Sequence, residues 1–322
     1  AGITSILGAA FTGNLGITAT SGPGISLKSE AMGLAVMAEL PIVIINVQRG
    51  GPSTGLPTKT EQSDLMQAMY GRNGEAPVPV LAAATPGDCF FAAYEACRIA
   101  VKYMTPVILL TDGYLANGSE PWQVPKVADL PDFDVSFADE SNLADGQFLS
   151  YSRDKKTLAR PWAIPGTPGL EHRIGGIETE DLTGNVSYDP DNHHYMVETR
   201  AKKVDAIANE IGPSEIFGNK SGELLILSWG GTKGACRSAT EALKAHGKKV
   251  SHLHLRWINP FPKDLGENLI KFKHVLIPEI NSGQLIKLIR AEFLVDAQGL
   301  NQVRGKPISS SDIQDSANKL IG

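Results

Sequence analysis

The fold is decided by residues 18–60, which read TATSGPGISLKSEAMGLAVMAELPIVIINVQRGGPSTGLPTKT. Two strand-like runs, residues 15–19 and 42–47, flank a segment, residues 26–39, whose apolar residues recur at helical spacing. Each run leads into a loop rich in glycine and proline, residues 21–24 and 49–55. This pattern predicts a β-loop-α-β unit. Since open parallel sheets bind ligands at the carboxyl ends of their strands, both loops are predicted to line a site.

The alternation of strand and helix patterns continues along the chain and predicts an α/β fold with a doubly wound, mostly parallel sheet. Residues 1–120 are predicted to form the first domain. From residue 121 to 192 prolines and glycines interrupt every pattern, which indicates a long irregular excursion over the surface. Residues 193–322 resume the alternation and are predicted to form a smaller α/β domain. Because the chain opens in a helix-like segment, residues 3–11, we expect the first domain to be incomplete at its amino end.

The composition of the 322 residues is that of a soluble globular protein, with 42% apolar and 20% charged residues. A formal net charge of −5 gives no reason to expect nucleic acid or an anionic membrane as a partner. We find no signal-peptide pattern and no apolar run near the roughly 20 residues of a membrane span. Three widely spaced cysteines favour a reducing cytoplasm, and they are too few for an iron–sulfur cluster, which takes about four.

Arg49 is the strongest single candidate for a binding residue, because it is the one arginine of a glycine-rich loop at a strand end. Its planar guanidinium could bind a carboxylate through two hydrogen bonds, or it could instead cap loop carbonyls. Thr58 follows nine positions later, and its hydroxyl could serve a substrate or begin the next helix. Thr60, with Glu61 and Asp64 after it, has the pattern of a helix start.

The same motifs carry a resemblance to a known family. Residues 48–65, QRGGPSTGLPTKTEQSDL, are similar to the α subunit of 2-oxoacid:ferredoxin oxidoreductases, and to the 2-oxoglutarate type in particular. Residues 70–80, 105–117 and 255–262 extend the similarity over nearly the whole chain. The resemblance implies a pyrimidine-binding domain of the thiamine-diphosphate-enzyme type, followed by a domain like the C-terminal domain of transketolases. It also implies an upstream Tyr-Pro-Ile-Thr-Pro loop and a glutamate, neither of which is in this sequence.

The reaction that the resemblance implies converts a 2-oxoacid, coenzyme A and oxidised ferredoxin into an acyl-CoA, CO₂ and reduced ferredoxin. Arg49 and Thr58 would then meet the substrate. Ser21, Gly22, Pro23 and Gly24 would lie against the aminopyrimidine ring of thiamine diphosphate. Taken by itself, this loop could also cradle a phosphate, although the lysine pattern of a phosphate-binding loop is missing.

A separate β subunit would complete the site. It is expected to hold Mg²⁺ and a [4Fe–4S] cluster, since this chain has neither the metal motif of thiamine enzymes nor enough cysteines, and an α₂β₂ assembly is expected. No metal site is predicted in this chain. Asp112 and Gly113 fit a turn at a strand end. The adjacent His193 and His194 are followed by Glu198 at a spacing that could hold a metal on a helix, but a third ligand to complete such a site is missing. Two alternatives stay open. The substrate could be pyruvate or a branched 2-oxoacid, or the chain could be a non-catalytic partner subunit.

Overall fold

The computed structural model describes residues 2–322. Its first part has the predicted order of strands and helices. The elements are α1 (Gly2–Phe11), β1 (Gly16–Thr20), α2 (Gly22–Ser26), α3 (Ser29–Ala38), β2 (Ile42–Gln48), α4 (Leu65–Tyr70), β3 (Val80–Ala82), α5 (Asp88–Tyr103), β4 (Val107–Asp112) and α6 (Gly113–Asn117).

The first sheet has the strand order β1-β2-β4-β3, with all neighbours parallel. Strands β2, β3 and β4 are largely buried on both faces, so apolar residues follow one another in sequence, whereas the edge strand β1 leaves Ile17 exposed. Ile42 and Ile44 of β2 pack into one core cluster, whereas Val43 between them packs into another with residues of α5. A sheet with buried residues on both faces is the doubly wound arrangement that the sequence predicted, and it is confirmed.

Residues 121–189 contain no long element among the described residues, and a long helix begins at Pro190, just before the predicted end of the excursion at residue 192. They hold short turns and the two-residue strands β5 (Leu143–Ala144) and β6 (Gln147–Phe148). Buried contacts nevertheless tie this segment to the first sheet's helices. Trp162 Nε1 donates to the carbonyl oxygen of Ala10 at 2.9 Å, and Arg153 donates to both carboxylate oxygens of Glu39. Lys203 pairs with the same carboxylate.

The remainder of the chain builds a second sheet, with the order β12-β11-β8-β9-β7. Strands β12, β11, β8 and β9 are parallel and β7 is antiparallel to β9. The elements are α7 (Pro190–Ala206), β7 (Ile216–Phe217), β8 (Gly222–Trp229), α8 (Lys233–Ala245), β9 (Val250–Leu255), β10 (Trp257–Asn259), α9 (Leu265–Leu269), β11 (Phe272–Glu279), α10 (Gln284–Phe293), β12 (Gln298–Asn301) and α11 (Ser310–Ile321).

One strand of this second part does not stay in its own sheet. Trp257 and Asn259 of β10 pair antiparallel with Leu81 and Val80 of β3, so that β10 forms the edge of the first sheet. The two sheets are therefore joined by a strand that crosses from one to the other.

A buried glutamine fastens the two sheets together. Gln62, which is fully buried, donates through Nε2 to the carbonyl oxygen of Trp229 at 2.8 Å and accepts from the amide of Ile280 at 3.0 Å. Its own amide donates to the Ile280 carbonyl, and its carbonyl accepts from Asn281 Nδ2. Four hydrogen bonds at one residue fix the segment just beyond the Arg49 loop against the ends of β8 and β11.

Two helix starts differ from the predictions. Residues 22–24 were predicted as a loop but lie in the short helix α2, with Pro23 in its first turn. The predicted helix start at Thr60 is wrong, because α4 begins at Leu65. Thr60 instead donates its hydroxyl to Asp112 Oδ1 at 3.1 Å, and the Gln62 contacts keep residues 60–64 outside the helix.

Among the described residues no helix has the length and apolar character needed to cross a membrane. Within the same range no group of three or more His, Cys, Asp and Glu side chains is placed to hold a metal ion. Asp112, which is almost fully buried, ends β4 and caps α6 by accepting from the amides of Tyr114 and Leu115. It also accepts from the amide of Gly231 at 3.0 Å, so this aspartate serves the packing of the two parts.

Candidate active site

The candidate site lies where β1 and β2 end side by side, at the same edge of the first sheet. β1 leads into α2, so Ser21, Gly22, Pro23 and Gly24 stand at this edge, and all four are half-buried. Ser21 precedes α2, but its hydroxyl does not cap the helix. Gly24 has a local reason to be glycine, because a Cβ there would collide with the Thr20 hydroxyl.

Arg49 follows β2 directly, in the position that the sequence predicted. The side chain is half-buried, and its Nε is buried without a hydrogen-bond partner in the part of the chain that the structure describes. No carboxylate of residues 2–322 forms an ion pair with it. A buried guanidinium nitrogen without a partner is costly, because it loses its hydrogen bonds to water and gains none. The alternative role, a cap for loop carbonyls, has no supporting contact among these residues.

The loop after Arg49 is closed on itself. The amide of Gly50 donates to the carbonyl oxygen of Lys59 at 2.8 Å, and the amide of Leu56 donates to the carbonyl oxygen of Gly50 at 2.9 Å. Gly55 makes this turn possible, since it has a φ of +45° and a Cβ there would collide with the Gly50 carbonyl. Thr58 is thereby returned to the base of the loop, near the position of Arg49.

Thr58 is exposed and adopts a φ of +63°, a left-handed conformation that threonine rarely takes. Such strain persists only where the surrounding structure imposes it, and it is concentrated at functional sites. The second reading of Thr58, as the start of the following helix, does not hold, because α4 begins seven residues later at Leu65.

The structure adds polar residues that sequence reasoning missed. Asn46 and Gln48 lie on the same face of β2 and are fully buried. Asn46 Nδ2 donates to Asp64 Oδ2 at 3.0 Å, and Gln48 Oε1 accepts from the Asp64 amide at 3.0 Å. A Cβ on Gly22 would lie 3.7 Å from Asp64 Oδ2, so the carboxyl group stands against the first turn of α2. Two amides in an otherwise apolar strand were the signal that could have found this cluster.

Asp64 connects the two predicted halves of the site. Its neighbour Ser63 donates from Oγ to the carbonyl oxygen of Arg49 at 2.8 Å, while Asp64 itself faces Gly22. Burial raises the pKa of Asp64, although hydrogen bonds from Asn46 and Ser63 oppose the shift. Burial also raises the pKa of Glu61, which the amides of Gly305 and Gly51 oppose.

The edge is open on its outer side. Residues 51–59 are all exposed. Exposed aromatic side chains follow β3 and β4 at this edge, and Phe90 packs against both Phe91 and Trp122, with ring centroids 5.3 and 5.5 Å apart. Each of these three rings is between 38 and 43% exposed. An open polar site beside exposed aromatic rings is an arrangement that a protein partner could cover.

Family models account for most of the chain. Residues 1–188 match the model described as pyruvate flavodoxin/ferredoxin oxidoreductase, thiamine diphosphate-binding. The chain belongs to this family. Residues 222–313 match a second model of the same group of enzymes, pyruvate:ferredoxin oxidoreductase core domain II. The resemblance found in residues 48–65 is thereby confirmed.

Curated relatives bear similar names. The chain is 53% identical over 313 residues to the 2-oxoglutarate oxidoreductase subunit KorA of Mycobacterium tuberculosis (strain ATCC 25618 / H37Rv), with 97% of this chain and 47% of the relative covered. It is 33% identical over 288 residues to the 2-oxoglutarate synthase subunit KorA of Archaeoglobus fulgidus, with 89% of this chain and 74% of that relative covered. The chain thus spans about half the length of the first of these relatives.

Solved structures agree on the fold. A 2-oxoglutarate:ferredoxin oxidoreductase from Magnetococcus marinus, with 2-oxoglutarate, coenzyme A and succinyl-CoA bound, superposes with a TM-score of 0.92 at 35% identity, covering 99% of this chain and 55% of that one. A split-gene transketolase, at 11% identity and a TM-score of 0.50, shares the fold alone. The predicted fold class, a pyrimidine-binding type of α/β domain followed by a transketolase-like one, is confirmed.

Proposed function

We propose that this chain is the α subunit of a thiamine-diphosphate-dependent 2-oxoacid:ferredoxin oxidoreductase that acts on 2-oxoglutarate. With a β subunit it would convert 2-oxoglutarate, coenzyme A and two oxidised ferredoxins into succinyl-CoA, CO₂, two reduced ferredoxins and a proton. The observation that carries the proposal is the Arg49 guanidinium, buried in part at a strand end and without an ion pair among the described residues.

In this proposal Arg49 binds the C1 carboxylate of the 2-oxoacid. A guanidinium offers two parallel hydrogen bonds to a carboxylate, which fixes both its position and its orientation. Thr58 lies at the base of the same loop, and its hydroxyl would hydrogen-bond the substrate carbonyl or the cofactor. Holding the acid in one orientation is the contribution that a protein makes to a reaction whose chemistry a cofactor supplies.

The residues at the edge fit thiamine diphosphate in their chemistry. Ser21, Gly22, Pro23 and Gly24 present a small-residue surface against which a flat ring can pack, and Gly22 carries no side chain between the edge and Asp64. Thiamine diphosphate, when bound, supplies the electron sink for decarboxylation. The residues of this chain would bind the ring, orient the acid and keep its carboxylate paired.

The partner in this proposal is a β subunit that brings the diphosphate site with Mg²⁺ and the [4Fe–4S] cluster. Two features of the chain support it: the exposed loop of residues 51–59, and the exposed rings of Phe90, Phe91 and Trp122 at the same edge. Ferredoxin and coenzyme A complete the set of partners, in an assembly of the α₂β₂ type. Three free cysteines favour a cytoplasmic setting.

We further propose the division into residues 1–120, 121–192 and 193–322 as the working units of the chain, with β10 reaching back from the third to the first. The middle unit is the one that could meet the far end of the substrate or the partner, because it has mostly exposed, irregular backbone.

The test is co-expression of the full-length chain with its β subunit, followed by assay of coenzyme-A-dependent reduction of a one-electron dye. We expect 2-oxoglutarate to give the highest kcat/KM among 2-oxoglutarate, pyruvate and a branched 2-oxoacid. Preference for either of the other acids would overturn the substrate assignment and keep the reaction. A complex that holds thiamine diphosphate and the cluster but turns over none of the acids would identify a non-catalytic partner subunit.

A further inference from the structure

The backbone of Arg49 is held by a hydroxyl group that has two acceptors. Ser63 Oγ lies 2.8 Å from the carbonyl oxygen of Arg49 and 3.1 Å from Asp64 Oδ1. A hydroxyl carries a single hydrogen and cannot donate it fully to both oxygens. The bond that fixes Arg49 therefore competes with a bond to the neighbouring carboxyl group.

The carboxyl group of Asp64 is fixed on its other side by β2. Asp64 Oδ2 accepts from Asn46 Nδ2 at 3.0 Å, and the backbone amide of Asp64 donates to Gln48 Oε1, also at 3.0 Å. Only Oδ1 is directed at Ser63. If Oδ1 carries a proton, it donates to Ser63 Oγ, and the serine hydrogen is left for Arg49. If the carboxyl group is ionised, Oδ1 can only accept, and it draws the same hydrogen away from Arg49.

Ser63 is itself rigidly placed by the second sheet's helix α10. Gln284 Nε2 donates to the carbonyl oxygen of Ser63 at 2.8 Å, and Gln284 Oε1 accepts from the amide of Met66 at 2.9 Å. Together with the four bonds of Gln62, this holds the serine in one position relative to β2. A hydroxyl on so fixed a segment can determine where the Arg49 backbone lies.

We propose, on the premise that Arg49 binds the substrate carboxylate, that Ser63 and Asp64 are positioning residues for Arg49, and that a proton on Asp64 strengthens the arrangement. The affinity for the 2-oxoacid then depends on the ionisation of Asp64. It is highest when the carboxyl group is protonated and falls as the pH rises through its pKa.

The groups around Asp64 do not offer another explanation for such a dependence. Strand β2 presents the neutral side chains of Asn46 and Gln48, α2 presents Gly22, and α10 presents Gln284. The titratable neighbour is Glu61, two residues from Ser63 on the same segment. Lys28, which follows α2, places its Nζ 3.8 Å from where a Cβ on Gly24 would lie. The charge of Asp64 contributes to raising the pKa of Glu61, so a variant of Glu61 is the reference that shows which of the two carboxyl groups causes the pH dependence of KM.

The experiment measures KM and kcat for 2-oxoglutarate in the full αβ complex across the pH range in which the complex is stable. Loss of one hydrogen bond should make Ser63→Ala raise KM about 3- to 10-fold, with a smaller change in kcat. Ser63→Thr keeps the hydroxyl, so its KM should be close to that of wild type and below that of Ser63→Ala. In Asp64→Asn the amide nitrogen donates permanently to Ser63 Oγ, so KM should stay low at every pH. Glu61→Gln should keep the pH dependence of KM.

The matched control is Ser214→Ala, which removes a serine–aspartate bond of 2.7 Å to Asp264, far along the chain in the second part. It should leave KM and its pH dependence unchanged. If Arg49→Ala raises KM strongly but Ser63→Ala and Asp64→Asn both behave as wild type, the inference is refuted and the proposed function stands. If Arg49→Ala itself leaves KM unchanged, this inference and the proposed role of Arg49 are both refuted, while the proposed reaction stands. Should Ser63→Ala fail to assemble, the pH profile of Asp64→Asn decides alone.

Discussion

The substitution Arg49→Lys keeps the positive charge of the candidate site but loses the planar pair of donors. If Arg49 pairs with a desolvated carboxylate, the loss should be roughly 2–5 kcal/mol of transition-state stabilisation, or about 30- to several-thousand-fold in kcat/KM. Arg49→Ala should be worse, because the carboxylate is then unpaired. Steady-state kinetics of the αβ complex measures both.

The complex and its bound cofactor should survive both changes, which mass analysis and cofactor content can establish. An Arg49→Ala complex that assembles normally and turns over the acid within a few-fold of wild type would make Arg49 a structural residue. The assignment of the loop from Arg49 to Thr58 would then be withdrawn.

At the residue scale, Arg49 could be predicted as a binding residue because a lone arginine on a glycine-rich loop can be recognised from the sequence alone. Asn46 and Asp64 were not predicted as partners, since their contact joins a strand to a helix start 18 positions later. The segment between them had the pattern of a helix start. It is instead held outside the helix by hydrogen bonds of Gln62 and Thr60, whose partners lie far along the chain.

At the element scale, a buried ion cluster ties the irregular segment to α3. Glu39 is 1% exposed, accepts from Arg153 and pairs with Lys203 of α7. Glu39→Gln would leave these buried cations without their carboxylate, so it should lower the free energy of unfolding by about 3–5 kcal/mol. Glu198→Gln, which breaks an exposed pair with Lys202, is the control and should leave the free energy of unfolding nearly unchanged.

The same ion cluster predicts that the free energy of unfolding depends on pH. Burial would raise the pKa of Glu39, but Lys203 and Arg153 outweigh it and lower the pKa from 4.5 to about 2. A carboxyl group with a lowered pKa stabilises the fold above its ordinary pKa and loses that contribution as the pH falls through the folded value. The stability difference between wild type and Glu39→Gln should therefore shrink as the pH falls from 4.5 towards 2. A difference that stays constant over this range would contradict the assigned ion cluster.

A second prediction at this scale concerns the fastening at Gln62. Gln62→Ala leaves the buried amide of Ile280 without its partner, while the Trp229 carbonyl loses one of two donors and keeps the Thr232 hydroxyl. An unsatisfied buried amide costs about 1–3 kcal/mol, so thermal unfolding should shift clearly downward. Gln298→Ala is a suitable control, because its side chain makes only a long contact of 3.5 Å in an exposed region. Equal melting temperatures for the two variants would show that Gln62 does not hold the sheets together.

Some elements have clear signals in the sequence. α11 is capped by the preceding residue Ser309, whose side chain accepts from the amide of Asp312, and such a serine cap is visible in the sequence. Strand β10 had no comparable signal, because it has three residues and its partner β3 lies in the first part of the chain. Short strands that pair over such separations depend on the tertiary fold more than on local pattern.

At the scale of the whole molecule, the candidate site is an open edge that a partner would cover. If the β subunit docks there, the amides of residues 51–59 should become protected from hydrogen exchange in the complex. The peptide that contains Phe90 and Phe91 should gain protection as well, while α11 serves as the reference. A complex that forms without any change at residues 51–59 would place the subunit contact on another face.

Strand β10 also has a consequence for the order in which the molecule can be completed during synthesis. Its partner β3 is synthesised first, and Trp257 follows more than 170 residues later in the chain. Until then the edge of β3 has no neighbour on that side, and an open strand edge can pair with another chain. Newly made amino-terminal fragments should therefore need protection from association until the chain has passed Asn259.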